Sequence, residues 1–206
     1  RMGSQAAEAF READEVPHLR RIGRSFAIAA HEVTKEQFRR FQLENLGTIK
    51  RFNVDSSSPT DDCPQTGVDW YDAAAYCNWL SLREGLEPAY DQTTWEVDPL
   101  NAEGYRLPSE AEHYWAASGG ATTPYWWGRS IDEACAYANV YDRSGRAAMP
   151  LAPWPHAGCD DGFAHLAPVA SFRPNAFGLH DMYGNVSEWC RDQQEGRSRE
   201  TSQRGY

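Results

Sequence analysis

Two short segments of this chain concentrate oxygen donors around glycine. Asp160-Asp161-Gly162-Phe163 sets carboxylates beside a glycine turn. Asp181-Met182-Tyr183-Gly184-Asn185-Val186-Ser187-Glu188 spaces two carboxylates seven positions apart around another glycine. Calcium takes about six to eight oxygens, mixing carboxylates with backbone carbonyls from a tightly turning loop, so calcium binding is the chemistry these segments suit. Neither is an EF-hand, because the twelve-residue ligand spacing of that motif is missing. Carboxylates that simply cap turns are the plainer account of the same residues.

Other chemistries leave no local pattern. His18, His31, His113, His156, His165 and His180 form no H-x-x-x-H or H-E-x-x-H, so a catalytic transition-metal site has no signature, and scattered surface or packed histidines are expected. No G-x-S-x-G and no phosphate loop occur, and a Cys/His nucleophile can be named only as residues without geometry. The five cysteines, at 63, 77, 135, 159 and 190, contain no C-x-x-C. Their intervals of 14, 58, 24 and 31 fit no zinc-finger spacing. An odd count leaves at least one unpaired in a monomer, and buried free thiols are the expected state. Asn185-Val186-Ser187 matches a glycosylation sequon and is read as a chance match in an aromatic-rich context.

These donors need elements to hold them. Ser25-Phe26-Ala27-Ile28-Ala29 alternates and predicts a short strand. Thr34 with Gln37 makes a capping box, and Phe38 and Phe41 share one face of a short helix over 35–43. Asn53 to Pro64 reads as a loop. Asp69 caps the clearest helix, with Asp72 in its first turn; Ala73, Ala74, Cys77, Leu80 and Ser81 recur at helical spacing, and Gly85 suits the exit. A loop with Pro88 and Pro99 leads to Tyr105-Arg106-Leu107-Pro108. Ser109 with Glu112 then opens a third helix, which ends at Gly119-Gly120. From there to residue 180 periodicity is scarce, which predicts irregular structure held by side chains or bound ions. The polar tail, Gln193 to Tyr206, is expected to fray.

Composition narrows the function classes. At 206 residues the chain has the size of one domain, assigned here as 1–206, and no run approaches the apolar length of a membrane helix. The net charge of −10 argues against nonspecific nucleic-acid binding and favours cations as small partners. Eight Trp, ten Tyr and eight Phe supply a ring-filled interior, while 16 Gly and 12 Pro commit much of the length to turns.

An ordered series of segments carries a resemblance. It runs Met2-Gly3-Ser4, Pro17-His18, Glu32-Val33-Thr34 with Gln37-Phe38, and Gly67-Val68-Asp69-Trp70 through Ala73-Ala74-Ala75-Tyr76-Cys77. It continues through Tyr105-Arg106-Leu107-Pro108-Ser109-Glu110-Ala111-Glu112, Tyr125-Trp126-Trp127-Gly128, Tyr137-Ala138-Asn139-Val140 and Ala167-Pro168-Val169. Pro174-Asn175-Ala176-Phe177-Gly178-Leu179 and Asp181 to Trp189 close it. Across its whole length the chain resembles the formylglycine-generating enzyme, or sulfatase-modifying factor, family.

The resemblance implies an α+β domain of the C-type-lectin-like, formylglycine-generating type, with little regular secondary structure and long loops. It implies two structural calcium ions. One would be held by Asn139, the Val140 carbonyl, Asp161 and the Phe163 carbonyl, the other by Asp181, the Gly184 and Val186 carbonyls, and Glu188. Family enzymes oxidise a cysteine of a sulfatase to formylglycine with two cysteines that hold copper, so a cysteine-containing protein or peptide is the implied partner, with no nucleic acid and no membrane.

The departures bear on activity. The family's catalytic cysteines follow an R-G-G-S stretch, of which Arg204-Gly205 is the nearest echo, so no catalytic residue is assigned and copper is expected only with a longer C-terminal segment. The chain is expected to be clipped at both ends and inactive as it stands. Cys77 matches a family cysteine whose disulfide partner lies in the same missing segment. Ser187 stands where the family usually has a Trp lining the active cleft, and His113-Tyr114-Trp115 replaces a common Trp-Glu-Tyr. Two functions follow: an inactive or incomplete form of the oxidase, or a non-catalytic, calcium-stabilised binding module. For the module, Trp126, Trp127 and Trp154 are candidate recognition residues, with core packing the favoured alternative for all three.

Overall fold

Three capping boxes start the first three helices. Thr34 accepts the Gln37 N–H while the Gln37 side chain accepts the Thr34 N–H, opening α1, Lys35–Glu44. Asp69 and Asp72 exchange the same pair of bonds before α2, Trp70–Arg83, so Asp72 completes a box as well as facing the helix dipole. Ser109 and Glu112 do so before α3, Glu110–Ser118, which ends at Gly119 in the left-handed region, φ 56°. The computed structural model describes residues 2, 17–45, 58–98 and 102–192. Residues 53–57 of the loop expected over 53–64, Pro99 and the tail from Gln193 lie outside the described residues.

The apolar stripes of these helices build the core. Phe38 and Phe41 of α1 pack on Tyr76 of α2, with ring centroids 5.5 and 5.6 Å away. Trp70 and Ala74 of α2 pack with Tyr90 and Trp189, and Ala116 and Ala117 of α3 pack with Leu179 and Met182. Buried Asn78 fixes the chain after α2 by bonding both backbone groups of Tyr90, at 2.8 and 2.9 Å. No described helix is long and apolar enough to cross a membrane.

Three expectations are corrected. Ser25–Ala29 forms no strand. Its side chains do alternate, with Phe26 and Ile28 half-buried and their neighbours exposed, but it has no ladder partner among the described residues. The β component among the described residues is three isolated antiparallel bridges: Met2 to His18, Thr34 to Pro64 and Tyr125 to Gly128. Second, the segment after Gly120 is not wholly irregular. It holds a 3₁₀ helix, Ile131–Ala136, capped by Ser130, and α4, Arg143–Ala148, capped by Asp142. Both are six-residue helices set by caps, too brief to show periodicity.

Third, Cys135 and Cys159 form a disulfide with Cα atoms 6.0 Å apart, where free thiols were expected. Cysteines 24 apart in sequence carry no spacing signal; the bridge exists because α4 and its flanking loops fold the chain back on itself. Cys63, Cys77 and Cys190 form no disulfide among the described residues.

Candidate ion-binding loops and the adjoining cleft

The residues implied as ion ligands fall on two loops that lock together. Asn185 donates its N–H to the Asn139 carbonyl at 2.8 Å. Gly184 passes so close to the same oxygen that a Cβ there would lie 2.1 Å from it, which glycine alone permits. The Asn139 amide in turn donates to the His165 carbonyl at 2.7 Å and to the Asn185 side chain at 3.0 Å. Asn185 also donates to Glu32 at 3.0 Å and to the Ala167 carbonyl at 3.2 Å. Its side chain is a structural hub, which accords with reading the sequon as chance.

In the first set, Asp161 accepts the Val140 N–H at 2.9 Å on one oxygen and the Phe163 N–H at 2.8 Å on the other. Behind it, fully buried Asp142 accepts the Gly145 N–H at 3.0 Å, the Ser144 hydroxyl at 2.7 Å and the Asp161 N–H at 2.5 Å. Burial opposes ionisation of Asp142, but those donors outweigh it and hold its carboxyl below the usual range. Burial, then the charges of Asp142 and Asp160, push Asp161 up. The Phe163 carbonyl already accepts the Ser144 hydroxyl at 2.9 Å. The Cys135 sulfur also approaches Asp142 and Asp161. It is spent in the disulfide, so the trio offers no thiolate to a soft metal.

The second set is short of donors. The Ala170 N–H reaches one Asp181 oxygen at 2.5 Å, yet the other, Oδ1, is buried with no hydrogen-bond partner. Glu32 Oε2 is buried and unpartnered in the same way. Burial first, then the negative charges of Asp181 and Glu188, push the Glu32 carboxyl up to about 8. Burial also raises Asp181. Asp181, Gly184 and Asn185 all adopt left-handed backbone, with φ of 54°, 80° and 56°. Such conformations cost about 1–3 kcal/mol each for residues other than glycine. Sequence reading named Asp181 and Glu188 but missed Glu32, which lies about 150 residues away and joins them only in the fold. It also missed His113, buried on α3 with Nε2 3.8 Å from Glu188.

A buried oxygen without a donor is relieved by a proton or a cation. Glu32 and Asp181 each bury such an oxygen, and the charge of Glu188 reaches Glu32. Carboxylate oxygens short of donors are the donor type that calcium takes, so the second set suits the ion in its chemistry. The first set brings its residues together too, but with its oxygens already holding protein donors.

A cleft of about 470 Å³ adjoins the loops, with Tyr141, Met149, Trp154, His165, Asn185 and Ser187 among its lining residues. Trp154 is 58% exposed, contrary to the core packing expected for it. Trp126 and Trp127 are half-buried; Trp127 is sandwiched between Tyr125 and Tyr137 at 4.8 and 5.5 Å.

Comparison with known proteins agrees with this frame. The chain is 31% identical over 184 residues to the chaperone protein LppX of Paenibacillus barcinonensis, covering 80% of this chain and 61% of that protein. It is 33% identical over 140 residues to the formylglycine-generating enzyme of Thermomonospora curvata, covering 66% and 36% respectively. The chain thus spans less than two thirds of these relatives' length. The solved structure of PvdO from Pseudomonas aeruginosa superposes with a TM-score of 0.69 at 26% identity, over 94% of this chain and 67% of that one. A family model described as the sulfatase-modifying factor enzyme 1-like domain matches residues 1–205. The helices, the interlocked loops and this match together assign the chain to the sulfatase-modifying factor, or formylglycine-generating enzyme, family.

Proposed function

We propose that this chain is a calcium-tied domain of the formylglycine-generating type that engages a polypeptide partner and carries no cysteine-oxidising centre in its described residues. The observation that carries the ion reading is the pair of buried oxygens, Glu32 Oε2 and Asp181 Oδ1, which no donor serves except a proton shared between the two carboxyls. One ion takes Asp181, Glu188, the Gly184 and Val186 carbonyls and, added by the fold, Glu32. An ion over Asn139, Asp161 and the Val140 and Phe163 carbonyls would compete with the protein donors that Asp161 and Phe163 already hold, so the reading rests on the first ion alone. The ion supplies positive charge that lets these carboxylates stay ionised while buried, and so ties loops that form no ladders.

The thiols support the non-catalytic half of the reading. An oxidase of this type needs a reactive thiolate pair, and soft thiolates are what copper(I) prefers. Burial pushes the Cys77 thiol up to about 12, so at neutral pH it is protonated. Cys63 is fully buried against the Thr60 hydroxyl, 3.2 Å away, and Cys135 and Cys159 are joined. A polypeptide partner is inferred from the relatives named formylglycine-generating enzyme.

Thermal unfolding with calcium and with a chelator tests the ion. A ligand at a hundredfold excess over its dissociation constant adds about 2.7 kcal/mol to the native state. A melt raised by calcium, with the rise lost in Asp181→Asn, is the expected result; identical melts in both buffers rule the ion out. Incubation with a C-x-P-x-R peptide and copper should leave the peptide mass unchanged. Loss of the thiol mass in favour of formylglycine would overturn the non-catalytic reading.

A further inference from the structure

The Cys135–Cys159 bridge lies among uncompensated negative charges. Cys135 follows Asp132 and Glu133, and Cys159 precedes Asp160 and Asp161. Asp142, the cap of α4, sets its Oδ2 3.6 Å from the Cys135 sulfur. An Asp161 oxygen joins them, and the three atoms lie within 4.8 Å of one another. Among the described residues, none of Asp132, Glu133, Asp142, Asp160 and Asp161 forms an ion pair with an arginine, lysine or histidine. Burial opposes the charge on Asp142, but its amide and hydroxyl donors outweigh burial and keep the carboxyl below its usual range. Asp142 is therefore ionised at neutral pH.

Both cysteines are half-buried, so burial alone does not shut a small thiol out. Reduction by a thiol takes two exchanges. A thiolate attacks one sulfur, the S–S bond breaks, and the other cysteine departs as a thiolate while a mixed disulfide forms. A second thiolate then displaces the remaining cysteine. The protein gains two electrons and, from solvent, two protons, and the reductant leaves as its own disulfide. The carboxylates oppose the first exchange in either direction. Attack at Cys135 brings an anion up to Asp142 and Asp161. Attack at Cys159 instead develops negative charge on the departing Cys135 sulfur, 3.6 Å from the same Asp142 oxygen.

We propose that the bridge is a redox tie filtered by charge: Asp142 and Asp161 keep it closed to anionic thiols, whereas a thiol that carries a positive charge opens it. What the tie protects is the backbone around Asp161. The Cys159 carbonyl accepts the Arg143 N–H at 3.3 Å, and Asp161 takes the Val140 and Phe163 amides. Those loops thus keep their arrangement where the surrounding thiols are acidic, and loosen where a cationic thiol reaches them. The filter needs neither a bound ion nor a polypeptide partner, so it stands apart from the preceding reading.

The test reduces the full chain, in chelator and low salt, with monothiols of similar size and different charge. These are cationic 2-aminoethanethiol, neutral 2-mercaptoethanol and anionic 2-mercaptoethanesulfonate. Free thiols are trapped with iodoacetamide, and the masses of the tryptic peptides that hold Cys135 and Cys159 give the rate per thiolate. The chain in urea is the unfolded reference. The ratio of cationic to anionic rate should exceed its urea value by about tenfold or more, and it should shrink at high salt. Asp142→Asn and Asp161→Asn should each raise the anionic rate toward the neutral one while the cationic rate changes least. A variant that unfolds would instead bring all three rates to their urea values, and the wild-type ratio with its salt dependence then decides. A wild-type ratio equal to the urea value, a ratio insensitive to salt, or one that both folded variants retain overturns the proposal.

Discussion

Residues 34–118 bury Phe41, Trp70, Tyr90 and alanines of α2 and α3, whereas residues 119–192, beside apolar residues such as Phe172 and Trp189, bury the polar Asp142, Asn175 and Asp181. In the first region the favourable term is area removed from water, spread over many contacts and tolerant of small shifts. In the second it is a set of single bonds from side chain to backbone and a disulfide, set against the cost of carboxylates short of donors. Asn175 is typical of the second region, because its amide donates to the Ala116 carbonyl at 2.8 Å while its oxygen takes the Phe177 N–H at 2.9 Å. One chain can thus be stabilised by the exclusion of water in one region and by side-chain hydrogen bonds and covalent chemistry in another. Perturbing agents should therefore sort by region.

The largest effect is expected in the helical region. Phe41 is 1% exposed and meets Phe38, Tyr76 and Trp79. Phe41→Ala should cost about 3–5 kcal/mol in denaturant unfolding. The calcium-dependent increment in stability should be unchanged in that variant, because the ion loops do not touch this cluster. A variant that loses the increment as well would break the division between regions.

Next in size is the bridge. The Cys135→Ser, Cys159→Ser double variant should lose about 2–4 kcal/mol, the usual worth of such a crosslink. The damage should stay on the loop side. Hydrogen exchange at the Val140 and Phe163 amides, which bond Asp161, should speed up, while the α2 amides beneath Trp70 and Ala74 keep their protection beyond the global loss. Uniform acceleration in both regions would show that they unfold as one unit.

The same division explains what could be read from sequence. The helices were legible because capping residues sit three apart and apolar residues recur at helical spacing, both local signals. Thr34 with Gln37, Asp69 with Asp72 and Ser109 with Glu112 all stand where those signals put them. The strand at Ser25–Ala29 failed because alternation reports burial on one side and says nothing of a partner strand. Asp181 and Glu188 were legible as an oxygen-rich turn. Glu32, His113 and the Cys135–Cys159 pairing were not, since contacts between residues far apart in sequence leave no spacing to find. The position of Trp154 was missed for a related reason: composition predicts where most rings go, and a ring fixed edge-on to Tyr141 at a cleft mouth is the exception.

The subtlest test uses pH, because one carboxylate of the helical core and one of the ion site depart from their usual range in opposite directions. Glu112 at the start of α3 is bound through both oxygens by Arg106, at 2.7 Å each. Burial alone would raise its carboxyl, but the guanidinium and the Ser109 donors outweigh burial and bring it below the usual range. The native state thus gains stability from Glu112 above the ordinary glutamate range and loses that gain as pH falls through it. Glu32 runs the other way, because burial and its acidic neighbours push it up to about 8. In chelator the native state holds a proton there that the unfolded chain has released, so stability falls as pH rises from about 4.5 toward 8. Glu32→Gln should flatten that upper decline, while Glu112→Gln removes the loss of stability on the acid side. Calcium should cancel the upper decline in the wild-type chain, since an ion bound to Glu32 takes the place of its proton. Unfolding free energies measured from pH 4 to 8 in both buffers decide it. An upper decline that persists in Glu32→Gln would place its origin elsewhere, and one that persists in saturating calcium would take Glu32 out of the ligand set.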